Sequence, residues 1–253
     1  MQTKDSLSDL RNVYLSPSFS LSYKDPLNIV RGQGQYLYDA NGTKYLDGIN
    51  NIQHVGHSHP RVIEAANAQF KKLNTNTRYL DETILNYAQA LTEKLPKGLN
   101  KCFFTNSGSE SNDLALRLAR KYTNSRETIV LDGAYHGHSI SLIEVSPYKF
   151  NGPGGEGPPE YVHPVPMPDP FRGKYRGQGS GPLYFEEIKK VLKKLNSEKK
   201  NVSAFMSEAV MGCGGQIFPP GKFLGPSYDA VKEQGGLCIA DEVQIGFGRL
   251  GKH

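Results

Sequence analysis

The sequence predicts an α/β fold built around a mostly parallel β-sheet. Two patterns indicate it: short apolar runs typical of buried strands, and longer segments between them whose apolar residues recur at helical spacing. Strands that alternate with helices are typical of parallel sheets, because a parallel connection has to return to the other end of the sheet. The length of 253 residues allows one large domain or two small ones.

The composition excludes several other classes of protein. Charged residues make up 22% and hydrophobic residues 37% of the chain, a balance typical of folded globular proteins. The net charge of +5 is small, and the basic residues are scattered except for a lysine run at 189–200, so no nucleic-acid interface is predicted. No apolar run reaches the roughly 18 residues that a membrane span needs.

The N-terminus and the cysteines bear on the compartment. The first 15 residues contain Asp5 and Asp9 and have no apolar core, which argues against a secretory signal and weakens the case for a mitochondrial transit peptide. The three cysteines are far apart and form no CxxC pair. Free thiols in a reducing compartment are therefore expected.

The N-terminal part of the chain is predicted as an arm followed by short strands and two helices. Residues 36–38 and 44–46 have the pattern of a hairpin around a tight turn. Pro60 suits the first position of a helix, and the apolar residues after it recur at helical spacing. A second helix is predicted over 84–95, ending before Pro96.

The rest of the chain contains the alternation of strands and helices. The predicted strands are 101–105, 128–131, 141–145, 204–206 and 237–240. The predicted helices are one from Glu110 with Leu114, Leu118 and Tyr122 on one face, one over 183–195 with its lysines in solvent, and one around 228–234. The Gly- and Pro-rich stretch 151–182 is expected to be a long irregular excursion.

Three polar segments follow predicted strands, where open α/β sheets bind their ligands. The first is Thr105–Glu110, in which a small-residue turn leads into a helix. Gly108 permits close approach of the backbone, Ser109 offers a hydroxyl, and the first-turn amides of the helix suit a phosphate. The alternative is a simple helix cap in which Ser107 and Glu110 form a capping box.

The second segment, Asp132–His138, places an aromatic residue and imidazoles between glycines. Tyr135 could present a flat ring to a planar cofactor, and the alternative is a surface turn. These histidines, together with His54, His57 and His59, also raise the question of a metal. No cysteine or carboxylate at suitable spacing completes a zinc site, so no metal site is predicted.

The third segment, Leu237–Arg249, places Asp241 and Glu242 at the end of an apolar strand. A carboxylate buried there needs a cationic or proton-donating partner, and a protonated pyridine nitrogen is one. The alternative is a metal-binding aspartate in a nucleotide site, which would require a GxxxxGK[ST] loop that the sequence lacks. Residues 152–157 match GxGxxG but neither follow a predicted strand nor open a helix, so no dinucleotide site is predicted.

Together, the three segments resemble the class III aminotransferase family of pyridoxal-phosphate enzymes, which have fold type I, the aspartate aminotransferase-like fold. The resemblance runs from about Pro26 to the end of the chain and is strongest in 50–60, 105–120, 134–138 and 239–251. Within the family, the segments LNTNTRYL, SLIEVSPYKF, FRGKYR and CGGQIFPP are most similar to the branch of ethanolamine-phosphate and 5-phosphohydroxy-L-lysine phospho-lyases.

The resemblance implies cofactor roles for individual residues. A phosphate site would consist of Ser107, Gly108 and Ser109, and Asp241 would pair with the pyridinium nitrogen, which keeps the ring an electron sink. The other implied cofactor residues are Tyr135 and Val243 on the two ring faces, His136 beside the ring, Gln244 on the ring hydroxyl, and Glu208 nearby.

Substrate contacts are implied less directly. Asn50 and His54 match a loop near the active-site entrance, where they could equally be structural. Arg172 and Arg176 could bind a substrate phosphate through charge-assisted hydrogen bonds, or could be ordinary surface arginines. A phospho-lyase would release phosphate and ammonia from the substrate, whereas a transaminase would keep the amine. The cofactor residues do not distinguish these reactions.

The chain departs from the family where it stops, at His253, before the position of the Schiff-base lysine. No catalytic residue is therefore assigned in this chain, which is expected not to turn over substrate by itself. The C-terminal small domain is expected to be missing as well. Residues 1–58 would then be an N-terminal arm with part of a small domain, and 59–253 an incomplete large cofactor-binding domain.

Three hypotheses for the function follow from the resemblance. The first is a phospho-lyase acting on phosphoethanolamine or 5-phosphohydroxylysine. The second is a transaminase of the alanine–glyoxylate type, and the third a non-catalytic truncated relative that acts only as a binding protein. The complete protein would be a homodimer with a small phosphorylated amine as substrate and with no nucleic-acid or membrane partner. The resemblance favours mitochondria, with the cytoplasm as the alternative.

Overall fold

The computed structural model describes residues 4–21, 23–49 and 54–251. The chain divides into two compact units, Met1–Asp81 and Glu82–His253. The domain boundary expected after residue 58 stays a prediction. Within the described ranges, every helix is too short or too polar to cross a membrane.

The Met1–Asp81 unit contains a small antiparallel sheet. Its elements in chain order are α1 (Lys4–Tyr14), β1 (Ile29–Gln33), β2 (Tyr36–Asp39), β3 (Lys44–Leu46) and α2 (Pro60–Lys72). The predicted hairpin of β2 and β3 is confirmed, and the carboxylate of Asp39 shapes its turn by accepting hydrogen bonds from the amides of Asn41 and Thr43. The helix predicted from Pro60 is also confirmed, with the proline in its first turn.

The Glu82–His253 unit is a parallel sheet with helices between its strands. Its elements in chain order are α3 (Glu82–Thr92), α4 (Gly108–Thr123), β4 (Glu127–Leu131), α5 (Ile140–Ile143), α6 (Pro147–Phe150), β5 (Val162–Val165), α7 (Gly181–Ser197), β6 (Val202–Glu208), α8 (Leu224–Glu233) and β7 (Leu237–Asp241). The strand order is β5-β4-β6-β7, and each neighbouring pair is parallel. The predicted α/β class is therefore confirmed.

The core lies on both faces of this sheet. Successive side chains of a strand point to opposite faces, and β4 follows this rule. Ile129 belongs to a cluster with Ile188 of α7 and Val231 of α8, whereas Val130 belongs to a second cluster with Leu116 of α4. All residues of β6 are buried. A strand that is covered on both faces is typical of parallel sheets.

Two predicted strands are absent from the structure. The segment 141–145 lies in and just after the short helix α5, where Leu142 and Val145 are both fully buried. Their spacing of three places them on one helical face, which a strand would have split between two faces. The segment 101–105 forms no strand, because none of the described strands pairs with it. Its Phe104 is exposed and stacks on Tyr87 at 5.4 Å.

The stretch 151–182 is less irregular than expected. Val162–Val165 forms β5, which pairs with β4 at the edge of the sheet. Pro164 makes this strand difficult to predict from the sequence, because proline cannot donate a hydrogen bond to a neighbouring strand. An edge strand tolerates proline, since one row of its backbone groups is unpaired anyway.

The predicted face of α4 is the exposed one. Leu118 and Tyr122 are 46% and 76% exposed, and the helix instead buries the face that packs toward β6 and β7. That buried face consists of Asn112, Leu116 and Ala119. The apolar pattern predicted the wrong face because the buried face of the helix includes a polar residue, Asn112. A polar residue buried in a helix is unusual and indicates a specific hydrogen-bonding role.

Candidate cofactor-binding site

The candidate site lies at the carboxyl ends of β4, β6 and β7 and at the first turn of α4. Contacts connect the loop after β4 (132–138), the loop after β6 (209–217), the loop after β7 (242–249) and the turn before α4. Parallel strands bring their carboxyl ends to one edge of the sheet, so segments far apart in sequence meet there.

The turn before α4 has the geometry of a helix cap. Ser107 is the N-cap, and its hydroxyl accepts a hydrogen bond from the amide of Glu110 at 3.1 Å. The Glu110 carboxylate reaches back to the amide of Asn106 at 2.7 Å, one residue earlier than in a capping box. Within the described part of the chain, the amides of Gly108 and Ser109 donate to no acceptor. They remain available to an anion at the positive end of the helix.

The glycines of the site allow its segments to approach closely. A Cβ atom at Gly108 would lie 2.6 Å from Val243 Cγ2, and one at Gly137 would lie 2.9 Å from Ser109 Oγ. Ser109 Oγ also accepts a hydrogen bond from the amide of His138 at 3.1 Å. The Ser109 hydroxyl proton therefore stays available to a ligand, and the loops after β4 and β7 both abut the first turn of α4.

Asp241 is a buried carboxylate with three hydrogen-bond donors. Its side chain is 5% exposed. Oδ2 accepts from Asn112 Nδ2 at 2.8 Å and from His136 Nδ1 at 2.9 Å, and Oδ1 accepts from the amide of Val243 at 3.0 Å. These donors stabilise the negative charge of Asp241. The carboxylate can serve as the counter-charge of a cationic ring nitrogen.

His136 is held by the same network. Its imidazole is fully buried, and its amide donates to Ser146 Oγ at 2.9 Å. Because a carboxylate oxygen only accepts, the proton shared with Asp241 belongs to His136 Nδ1. His136 Nε2 has no partner among the described residues. This buried ring nitrogen is therefore an unsatisfied polar atom of the site.

Glu208 lies next to Asp241 on the neighbouring strand. The two residues are direct partners in the register of β6 and β7. The Glu208 carboxylate accepts from the amide of Gly212 at 2.7 Å. Burial raises the pKa of Glu208, and the Asp241 charge adds to this, against the lowering effects of the Gly212 amide and of His136. The site thus holds a second buried carboxyl group beside Asp241, and its proton affinity is raised.

The outer wall of the site is aromatic and cationic. The ring of Tyr135 meets Tyr148 edge-on at 6.0 Å, and Lys149 Nζ lies 5.7 Å from the centre of each ring. Burial raises the pKa of the Tyr135 hydroxyl, which therefore stays protonated at neutral pH. The wall offers a flat ring for stacking beside a positive charge.

The remaining cofactor candidates also lie in this region. A Cβ at Gly212 would lie 3.3 Å from Glu208 Oε2 and 3.6 Å from Gln244 Cδ, so Gln244 is adjacent to Glu208. The structure therefore brings together all the cofactor residues implied by the sequence. They are Ser107, Gly108, Ser109, Tyr135, His136, Glu208, Asp241, Val243 and Gln244.

The substrate candidates differ in their placement. Arg172 Nη2 lies 3.4 Å from the Cβ position of Gly215, in the loop after β6, and Arg172 Nε lies 3.5 Å from Asp169 Oδ2. Arg176 is exposed. His54 belongs to the Met1–Asp81 unit, and Asn50 lies outside the described residues. The substrate roles of these four residues stay predictions.

Sequence reasoning missed several residues of the site. Asn112 lies inside the recognised motif, but its burial on the same helical face as Leu116 is seen only in the structure. Ser146 and Lys149 lie in the SPYKF segment, but their position depends on α6, which the sequence did not predict. Groups of three or more metal-binding side chains are not found within the described ranges.

The arrangement fits pyridoxal phosphate. A model of the family Aminotransferase class-III matches residues 20–253. The alanine–glyoxylate aminotransferase 2-like protein of Drosophila melanogaster is 51% identical over 96% of this chain and 51% of its own length. The ethanolamine-phosphate phospho-lyase homolog 1 of Caenorhabditis elegans is 39% identical over 100% of this chain and 56% of its own length.

A solved structure agrees with these relatives. A phospholyase from Arthrobacter, in complex with phosphoethanolamine, matches with a TM-score of 0.85 and 35% identity, over 96% of this chain and 57% of the other. The chain spans about half the length of the curated relatives it matches. It belongs to the class III aminotransferase family of fold type I enzymes, whose cofactor is pyridoxal 5′-phosphate.

Proposed function

We propose that this chain is the cofactor-binding part of a phospho-lyase that releases phosphate and ammonia from phosphoethanolamine or 5-phosphohydroxylysine. The observation that carries this proposal is the similarity, in both fold and sequence, to a phospholyase that binds phosphoethanolamine. The name of the Caenorhabditis elegans relative supports the same reaction.

The cofactor would be held at both ends. The free amides of Gly108 and Ser109, with the hydroxyls of Ser107 and Ser109, would bind its phosphate at the positive end of α4. Asp241 would face the ring nitrogen and keep that nitrogen protonated through its own charge. When bound, pyridoxal phosphate supplies an electron sink for the negative charge that forms on the substrate carbon.

The other residues would orient the ring and exclude water. Tyr135 would stack on one face, and Val243, which packs on Gly108, would support the other. Gln244 would hydrogen-bond the ring hydroxyl. Glu208 would place a second buried carboxyl group beside these contacts, held in position by the amide of Gly212.

A second anion site would select phosphorylated substrates. Lys149 lies beside the ring of Tyr135, and Arg172 lies beside Gly215 of the loop after β6, so each would bring a cation to the region of the site. A phosphate on the carbon next to the reacting carbon would be held there by charge-assisted hydrogen bonds and stabilised as it leaves. Arg176 would act from the same segment as Arg172.

Two other functions remain candidates. A transaminase of the alanine–glyoxylate type is supported by the name of the Drosophila relative. A binding protein without catalysis is the third hypothesis, and it predicts cofactor binding without turnover. The complete protein is further proposed to be a homodimer. A mitochondrial location is proposed because two relatives carry that location in their names.

The test uses the product of the complete reading frame, loaded with pyridoxal phosphate. Released phosphate is measured with phosphoethanolamine and 5-phosphohydroxylysine, and glycine formation from glyoxylate is measured with alanine as the amino donor. The proposal expects phosphate release without amine transfer. Amine transfer without phosphate release would establish the transaminase. Saturable cofactor binding with neither activity would favour the binding protein.

A further inference from the structure

Asn112 joins two parts of the candidate site through a single side-chain nitrogen. Its Nδ2 atom donates to Asp241 Oδ2 at 2.8 Å and to the backbone oxygen of His136 at 2.8 Å. Both partners only accept, so the contacts identify the nitrogen end of the amide. The residue is buried, and both donors of its NH₂ group are used.

We propose that Asn112 is a positioning residue that fixes Asp241 and His136 as one unit. The significance of this role for cofactor binding rests on the proposed function of Asp241. Asn112 binds the backbone of His136 and also the carboxylate that His136 Nδ1 contacts. It thereby constrains both the position of the imidazole and the rotamer of the aspartate.

The same bonds select one tautomer of His136. With Asp241 held by Asn112, Oδ2 accepts the proton of His136 Nδ1 at 2.9 Å. His136 Nε2 is buried and has no acceptor among the described residues, which favours a bare nitrogen there. In that tautomer the imidazole and the Asn112 side chain both donate to the same oxygen of Asp241.

Asn112 also sets the distance between the two ends of the cofactor site. It belongs to α4, whose N-cap Ser107 and first-turn amides form the anion site. A helix is stiff over one turn, so the bond from Asn112 to Asp241 couples the anion site to the carboxylate of β7. Other side chains could not substitute easily: aspartate lacks the two donors, and serine has only one.

The test compares Asn112→Leu with Leu116→Ala. Leucine is similar in size but removes both donors, whereas Leu116 lies one turn further on the same buried face and belongs to an apolar cluster with Val130 and Met206. In histidine-¹⁵N-labelled protein without cofactor, the wild type is expected to show the Nδ1-protonated pattern for His136, assigned by its loss in His136→Gln. Asn112→Leu should lose that pattern, and Leu116→Ala should keep it.

Cofactor binding to the complete protein gives the second readout. The dissociation constant for pyridoxal phosphate should rise about 10-fold or more in Asn112→Leu, because a hydrogen bond to a buried charge is lost. Leu116→Ala should stay within about twofold of the wild type. A folded Asn112→Leu variant with the wild-type His136 pattern and affinity would overturn the proposal.

Two further outcomes are decisive. If Asn112→Leu does not fold, Asn112→Ser retains one donor and should show a smaller loss of both signals, and wild-type values in that variant would overturn the proposal. If the wild type binds no cofactor saturably, but Asn112→Leu loses the His136 pattern and Leu116→Ala keeps it, the proposed function is rejected and the link between Asn112 and Asp241 is still supported.

Discussion

Replacing Gly137 with alanine would place a methyl group in a crowded contact of the cofactor site. The new Cβ would collide with Leu142 Cδ1 and would lie 2.9 Å from Ser109 Oγ and 3.1 Å from Ser109 Cα. Leu142 is fully buried, and Ser109 belongs to a helix, so neither can move freely. Overpacking of this kind costs about 1–3 kcal/mol. The backbone φ of +146° adds about 1 kcal/mol or more of strain for any residue with a Cβ.

Gly154→Ala is the matched control for this prediction. Gly154 also has a positive φ, +78°, but a Cβ there would meet nothing within 4 Å. Both variants therefore carry strain from a positive φ, and only Gly137→Ala adds the steric contact. In urea unfolding, Gly137→Ala should be about 1–3 kcal/mol less stable than Gly154→Ala and should bind pyridoxal phosphate more weakly. Equal stabilities and affinities would refute the packing described around Ser109.

Three other predictions concern charge and burial. Hydrogen bonding by Tyr175, then by neighbouring lysines, lowers the pKa of Glu187 to about 2. The ionised carboxylate should therefore stabilise the fold by about 1–3 kcal/mol above pH 4.5, and this contribution should vanish as the pH falls toward 2. Comparing the pH dependence of unfolding in the wild type and in Glu187→Gln checks this, and parallel curves would contradict it. Lys149→Ala should raise KM for a phosphorylated substrate about 10-fold, while Lys189→Ala, a helix-surface control, should not change it. Burial raises the pKa of Cys238 to about 11, so at pH 8 its half-buried thiol should react with iodoacetamide much more slowly in the native protein than after unfolding. Peptide mapping of the label checks this, and equal rates in the two states would contradict it.

The sequence was sufficient for the strands whose residues are apolar and for the polar segments that follow them. The strands at 128–131, 204–206 and 237–240 are all confirmed as parts of β4, β6 and β7. The polar segments after these strands could be located from the sequence alone, because an apolar run followed by glycine and a charged or aromatic residue is recognisable from neighbouring residues. The common location of these ends follows from the parallel topology.

The features that depend on a neighbouring strand or on a hydrogen-bond acceptor distant in the chain could not be predicted from the sequence. β5 contains a proline and is a strand only because β4 lies beside it. The segment 101–105 has strand-forming residues but no described partner. Asn112 looked like an ordinary polar position of a helix, because its acceptors, His136 and Asp241, are distant in sequence. Local propensity carries no record of such contacts.

The hydrogen bond between Asn112 and Asp241 has a consequence for the order of folding. Its two residues are 129 positions apart, and the bond between His136 and Asp241 spans 105 positions. During synthesis, α4 and β4 leave the ribosome long before β7, so neither bond can form until β7 has emerged and joined β6. The polar groups of Asn112 and His136 must stay solvated until then. Completion of the site is therefore a late event in the life of the nascent chain.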